Sequence, residues 1–251
     1  MELAVWSISN CDPLQFFDCT LQWREISLTL LQSAWAIEFA HAHPKTNVLG
    51  TDLSPIQPNR VPINCTFIVD DATKEWNFHQ SFDFIHTRAI SMGMADWPKL
   101  IEQAWTNLKP GGWLELQEFH LSIGNDDGSI KEGSALWQWR RDMLAATKKI
   151  GVDSLKVLEH PKMMKERGFQ NVGERPLKIP LGPWAKGKKE KQIGIMAQKD
   201  LVEGLDGIST KLLLMMGYEP EALKEFLENA RKDLMDPSVS SICYLVIEIT
   251  G

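Results

Sequence analysis

No glycine fingerprint precedes Asp52, the first acid at an expected strand end. A nicotinamide dehydrogenase of the doubly wound type needs one there for its tight turn and close approach to pyrophosphate, so that class is disfavoured. The four cysteines, Cys11, Cys19, Cys65 and Cys243, have no paired ligand spacing, which speaks against both zinc and a disulfide framework and suits reduced thiols inside a cell. His41 and His43 flank Ala42 with no cysteine or carboxylate at metal spacing, and they read as a frayed helix end; no metal is expected. Positive charge is in deficit, with 27 Lys and Arg against 33 Asp and Glu and a net charge of −6. A general nucleic-acid binder carries a basic excess instead. No apolar run approaches the roughly 20 residues that span a bilayer, and no basic stretch precedes an apolar run near residue 1. The expectation is a protein with no membrane partner, in the cytoplasm or nucleus. Neither repeats nor low-complexity linkers break the chain.

Strand and helix periods alternate along the middle of the chain. Asn47 to Leu53 (NVLGTDL) is a short apolar strand ending in Asp52. A carboxylate there can accept from both hydroxyls of a ribose, at the edge where doubly wound sheets bind nucleotides; Asp before Ser-Pro is also ordinary turn chemistry. Phe67 to Val69 reads as a strand followed by Asp70 and Asp71, a pair suited to an exocyclic amine or to a helix cap. Phe82 to His86 is apolar at most positions, as a parallel strand covered on both faces requires. Leu100, Ile101, Ala104, Trp105 and Leu108 recur at helical spacing, with Pro98 in the first turn. Lys109-Pro110-Gly111-Gly112 is expected to stop that helix and turn the chain, ahead of a strand from Trp113 to Phe119. Ile26, Leu28 and Leu30 alternate as a candidate central strand, and Ser33 is a candidate cap for a helix from Ala34 to His41 with Ala36, Ile37 and Ala40 as its stripe.

This order, with the phrases WAIEFA, GTDLSPIQP, DDATKEW, FDFIHTR, DWPKL, LKPGGWLELQE and IPLGPW, resembles class I S-adenosylmethionine-dependent methyltransferases, and more narrowly the fungal LaeA-type family associated with secondary metabolism. The likeness covers roughly Ala34 to Gly251. It implies an α/β Rossmann-like sheet, mostly parallel with the last strand antiparallel, and an inserted helical segment near the C-terminus. It also implies S-adenosylmethionine as cofactor, with Asp52 on the ribose, Asp71 with Ala72 facing adenine, Asp70 beside them in the cofactor-binding set, and the segment after Ile85 bordering methyl transfer.

The first element departs from the family. Counted back from WAIEFA, its acid and three glycines fall on Ser27, Thr29, Leu31 and Ser33. A branched residue forced to positive φ costs about 1–2 kcal/mol, and each lost hydrogen bond to a charged ligand about 1.5–3 kcal/mol. Weak or undetectable cofactor binding is therefore expected. Residues 1–33 contain no glycine and no lysine. They read as an atypical leader, either a diverged entrance to the domain or the product of an incorrect gene model or splice form.

One enlarged domain spanning 1–251 is expected. In its last third, helices are predicted over Ser134 to Ile150, Leu158 to Arg167, about Glu190 to Met216, and Pro220 to Met235. Strands are predicted over Phe169 to Ile179 and Ser241 to Thr250. The segment of about 180–236 is a helical insertion or lid, with Trp184, Met196, Leu213, Met215 and Met216 as lid or core residues. The basic run Lys186 to Lys191 reads as a solvated helix entrance.

For proton transfer the candidates are His86 and His120 at strand ends, with Glu118 nearby, because imidazole titrates near neutrality. Three readings stay open. One is a methyltransferase acting on a small pathway intermediate, and another a catalytically silent accessory protein that binds an intermediate or another pathway enzyme. The third is a nuclear regulator.

Overall fold

The computed structural model describes residues 26–30, 33–55, 58 and 60–250, so most of the expected leader lies outside the described residues. Among the described residues seven strands form one sheet: β1 (Ile26–Leu30), β2 (Asn47–Asp52), β3 (Cys65–Val69), β4 (Phe82–Arg88), β5 (Leu108–Gly124), β6 (Gly173–Pro180) and β7 (Ile242–Thr250), in the order β3-β2-β1-β4-β5-β7-β6. The pairings among β1 to β5 are parallel. The sheet as a whole is mixed, mostly parallel with an antiparallel edge, as expected. The helices are α1 (Ser33–Ala42), α2 (Trp97–Asn107), α3 (Ala135–Lys149), α4 (His160–Arg167), α5 (Lys188–Met215) and α6 (Pro220–Met235). The described residues form two compact units, one through 119–155 and 177–245, the other through positions up to 118, 156–176 and 246–250.

In the second unit the apolar pattern explains the packing. β4 is buried at every position, consistent with cover on both faces. Leu28, Ile85, Leu114 and Leu116 pack with Trp97, Leu100, Ile101 and Ala104 of α2 and with Met164 and Phe169. On another apolar cluster Trp35, Ala36, Phe39 and Ala40 of α1 meet Val48, Cys65 and Phe84. Trp35 and Phe39, stacked at 4.7 Å, thus join the expected alanines in the α1 stripe. Helix α2 starts where Asp96 accepts from Lys99 N at 3.0 Å, with Pro98 in the first turn, an ordinary N-cap. Its buried stripe is Trp97, Leu100, Ile101 and Ala104; Trp105, expected in the stripe, sits at its edge, edge-on to Phe169 and beneath Arg167.

Lys109 to Gly112 behave differently from expectation. α2 ends at Asn107, but the chain enters β5 at Leu108, and the register steps from Phe82↔Leu108 to Phe84↔Trp113. The extra residues form a bulge in the strand, with Gly111 at φ 75°, a conformation that favours glycine. The Gly168 stop is as expected, at φ 118° after α4.

In the first unit α3 runs Ala135–Lys149, capped by Ser134 on Trp137 N at 3.3 Å. Trp139 Nε1 donates to Ser209 Oγ of α5 at 2.8 Å, both side chains being fully buried. Of the lid candidates, Leu213 is core, whereas Trp184, Met196, Met215 and Met216 keep substantial exposure. The Lys186 to Lys191 cations are exposed at the entrance of α5.

Candidate functional site

Parallel register sets the acids side by side. Asp52 ends β2 opposite Val69 of β3, and Asp70 N donates to the Asp52 carbonyl at 3.0 Å. The half-buried Asp52 carboxylate accepts from Ser54 N at 3.0 Å. Asp70 turns back on the Asp71 amide at 2.8 Å. Asp71 accepts from both the amide and the hydroxyl of Thr73, at 3.0 and 2.7 Å, and these hydrogen bonds lower its pKa. Ala72 is partly buried, its carbonyl accepting from Trp76 Nε1 at 3.1 Å. Asp52, Asp70, Asp71 and Ala72 therefore share the carboxyl edge beside β1. That cluster of carboxyl acceptors and short turns suits a ribose diol and an exocyclic amine, the adenosine half of a nucleoside ligand. The methionyl half would meet the segment after β1, where residues 31 and 32 lie outside the described set. A separate cavity of about 550 Å³ is lined by Trp105, Lys109, Gly111, Gly112, Phe169 and Gln170. It lies at the amino end of β5, away from these acids.

Thr29 does not sit in a strained turn. It is an extended residue of β1, paired with Gly50 on one side and His86 on the other, and the described non-glycine residues with positive φ are Ala89 and Asn171. The strain expected at this glycine position therefore does not arise. Its hydroxyl lies 3.1 Å from His86 Nδ1, and the Trp35 ring lies flat on the imidazole at 3.8 Å and 7°.

On the next strand His86 faces Glu115, whose Oε2 is 3.8 Å from Nε2. An ion pair would raise the imidazole pKa and lower the carboxyl's. Burial first, then Arg88, pushes His86 well below 6.5, and burial lifts Glu115 to about 7 against the pull of Gln117 and Arg88. Neither shift is the one an ion pair produces, and the separation is longer than a hydrogen bond. With 0% of its surface exposed, His86 is a buried member of a Thr29–His86–Glu115 row. Sequence reasoning missed Glu115, although an acid inside a strand covered on both faces was a visible signal.

Replacing Thr29 by glycine is accordingly expected to destabilise the fold by about 1–3 kcal/mol. It strips His86 of a buried partner and puts glycine in mid-strand. Urea unfolding measures this; an unchanged midpoint with tighter cofactor binding would mean that position 29 acts on the ligand instead.

Glu118 is also fully buried. Its Oε1 accepts from Thr87 Oγ1 at 3.0 Å, and its Oε2 from the amides of Ile90 and Ser91, both at 2.9 Å. His120 belongs to the first unit, where its ring stacks on Tyr244 at 5.0 Å. Burial and Arg140 lower its pKa, so it is neutral at pH 7, and its Nδ1 has no partner among the described residues. The described residues hold no His, Cys, Asp and Glu cluster fit for a metal, and none of their helices is long and apolar enough to cross a membrane.

A strand order of this kind, with acids at the ends of β2 and β3, defines a Rossmann-like class I methyltransferase fold. A methyltransferase-domain family model matches residues 33–174, and the chain belongs to that family. It is 34% identical over 215 residues to methyltransferase pytC of Aspergillus terreus, covering 85% of this chain and 66% of that protein. With the secondary metabolism regulator laeA of Aspergillus fumigatus it shares 27% over 213 residues, 82% of this chain and 56% of that one. The chain thus spans somewhat less than two thirds of these relatives. Among solved structures, phosphoethanolamine N-methyltransferase 2 of Haemonchus contortus, in complex with S-adenosyl-L-methionine, superposes with a TM-score of 0.57 at 15% identity, over 97% of this chain and 52% of that one.

Proposed function

We propose that this chain binds S-adenosylmethionine through its adenosine half and transfers a methyl group to a small-molecule intermediate of fungal secondary metabolism. The observation that carries the reading is the placement of Asp52 and the Asp70–Asp71 turn on neighbouring parallel strand ends, within a methyltransferase-family domain. When bound, the sulfonium supplies an electrophilic methyl. The chain's own part is to hold the ribose on Asp52 and the adenine beside Asp71 and Ala72. The absent glycines leave the methionyl half less well held, which weakens binding.

Calorimetric titration with S-adenosylmethionine and S-adenosylhomocysteine tests the reading. Asp52→Ala is expected to weaken binding about 10- to 100-fold while the fold persists, the scale of hydrogen bonds to a charged acceptor. Equal affinity in the variant removes Asp52 from the site.

One observation favours a second reading. His86 and Glu118, two of the three proton-handling candidates, are spent inside the sheet, which suits a catalytically silent accessory protein that binds a pathway intermediate or another enzyme. Folded protein that binds neither ligand selects that reading.

A further inference from the structure

After Arg88 the chain leaves β4 through Ala89, a non-glycine residue at φ 53°. That conformation costs about 1–3 kcal/mol and persists only when its surroundings enforce it. The enforcing contacts come from β5. Ala89 N donates to the Gln117 carbonyl at 2.9 Å, and Gly93 N closes the turn on the Ile90 carbonyl at 2.9 Å. The consecutive amides of Ile90 and Ser91 converge on one oxygen of Glu118, each at 2.9 Å, while Thr87 Oγ1 holds the other at 3.0 Å. Adjacent amides aimed at one point make a small anion-binding concavity, and here a carboxylate from the neighbouring strand fills it. Ile90 and Ser91 are buried with it, while Met92 remains 39% exposed at the tip. Because β4 lies between β1 and β5, this turn stands at the carboxyl edge beside the end of β1, on the ligand-binding side of such sheets.

We propose that Glu118 is a positioning residue: it locks the Ala89–Gly93 turn into the shape that closes the cofactor site at the end of β4. This rests on the methyl-transfer reading above. The role needs an acceptor oxygen rather than a titrating proton, because both carboxylate oxygens already receive donors. It follows that glutamine, which keeps one oxygen for the two amides and a group that can meet the Thr87 hydroxyl, should serve nearly as well.

The test uses the full chain with Glu118→Ala and Glu118→Gln, S-adenosylhomocysteine as the calorimetric probe, and amide hydrogen exchange at Ile90 and Ser91. Glu118→Ala is expected to expose both amides to exchange and to weaken binding about tenfold or more, as the loss of an ordered contact does. Glu118→Gln should keep both amides protected and bind within about threefold of the unmodified protein. Wild-type affinity in a folded Glu118→Ala overturns the proposal. So does a Glu118→Gln that loses binding with its amides still protected, since charge would then be what matters. If Glu118→Ala does not fold, Glu118→Gln decides alone, retention supporting the proposal and loss overturning it. Failure of the unmodified protein to bind the probe instead overturns the methyl-transfer reading, and the proposal falls with it.

Discussion

On titration from pH 6.5 to about pH 4 the protein is expected to lose about 3 kcal/mol of stability, with His160 as the principal cause. Burial holds the His160 imidazole down to about 3 from an ordinary 6.5. The unfolded imidazole takes up a proton that the folded one refuses. Stability is therefore complete above 6.5 and falls with pH until the folded value is passed, by about 1.4 kcal/mol per pH unit. His86, also lowered, works in the same direction, while Glu115, lifted from 4.5 to about 7, works in the opposite one. On acidification these two contributions therefore oppose each other. His43 and His120, lowered by burial, add to the His160 slope. Urea unfolding at a series of pH values reads the slope, and His160→Gln should flatten it by about one proton. A slope that His160→Gln leaves unchanged would show that this imidazole titrates as if in water.

Trp97→Ala is expected to destabilise the fold by about 3–5 kcal/mol, the range for truncating a buried aromatic that the core cannot refill. Trp97 is 1% exposed, stands in the first turn of α2, and packs against Leu28, Ile85 and the rest of the principal cluster. Its ring also lies 4.1 Å from that of His160. Removing it opens the cover over the imidazole, so the acid slope should flatten together with the loss of stability. A variant with the wild-type urea midpoint would contradict both the packing and the pH argument; one destabilised but with the full acid slope would show that water already reaches His160 by another route.

Periodicity made much of this fold legible. Apolar runs of strand length ending in acids located β2 and β3, and the Pro98 helix start with its Leu100, Ile101 and Ala104 stripe located α2, because burial on a fixed face leaves a mark every two or 3.6 residues. What the pattern mishandled were places where geometry depends on a neighbour. Lys109 to Gly112 has the composition of a turn, yet a strand alongside absorbs it as a bulge. Trp105 obeys the helical spacing but sits one position beyond the face that α2 buries. The site was half legible in the same way. The positions of Asp52, Asp70 and Asp71 at strand ends were visible because a strand end is a local property, whereas Glu115 and the fixed turn after β4 depend on register between strands far apart in sequence.

Residue order alone shows the class of fold, the acids at its strand ends, and the absence of a glycine loop ahead of β2, since each is written in short-range spacing. What the unusual residues contact follows from packing instead. It turned Thr29 from an obstacle into the partner of His86 and withdrew His86 from solvent beneath Trp35. It also set Glu118 on the amides of Ile90 and Ser91. The physical reason is that a side chain's protonation and hydrogen bonds are set by what parallel register and helix cover bring within about 3 Å of it, and neither is encoded in the spacing of residues along one strand.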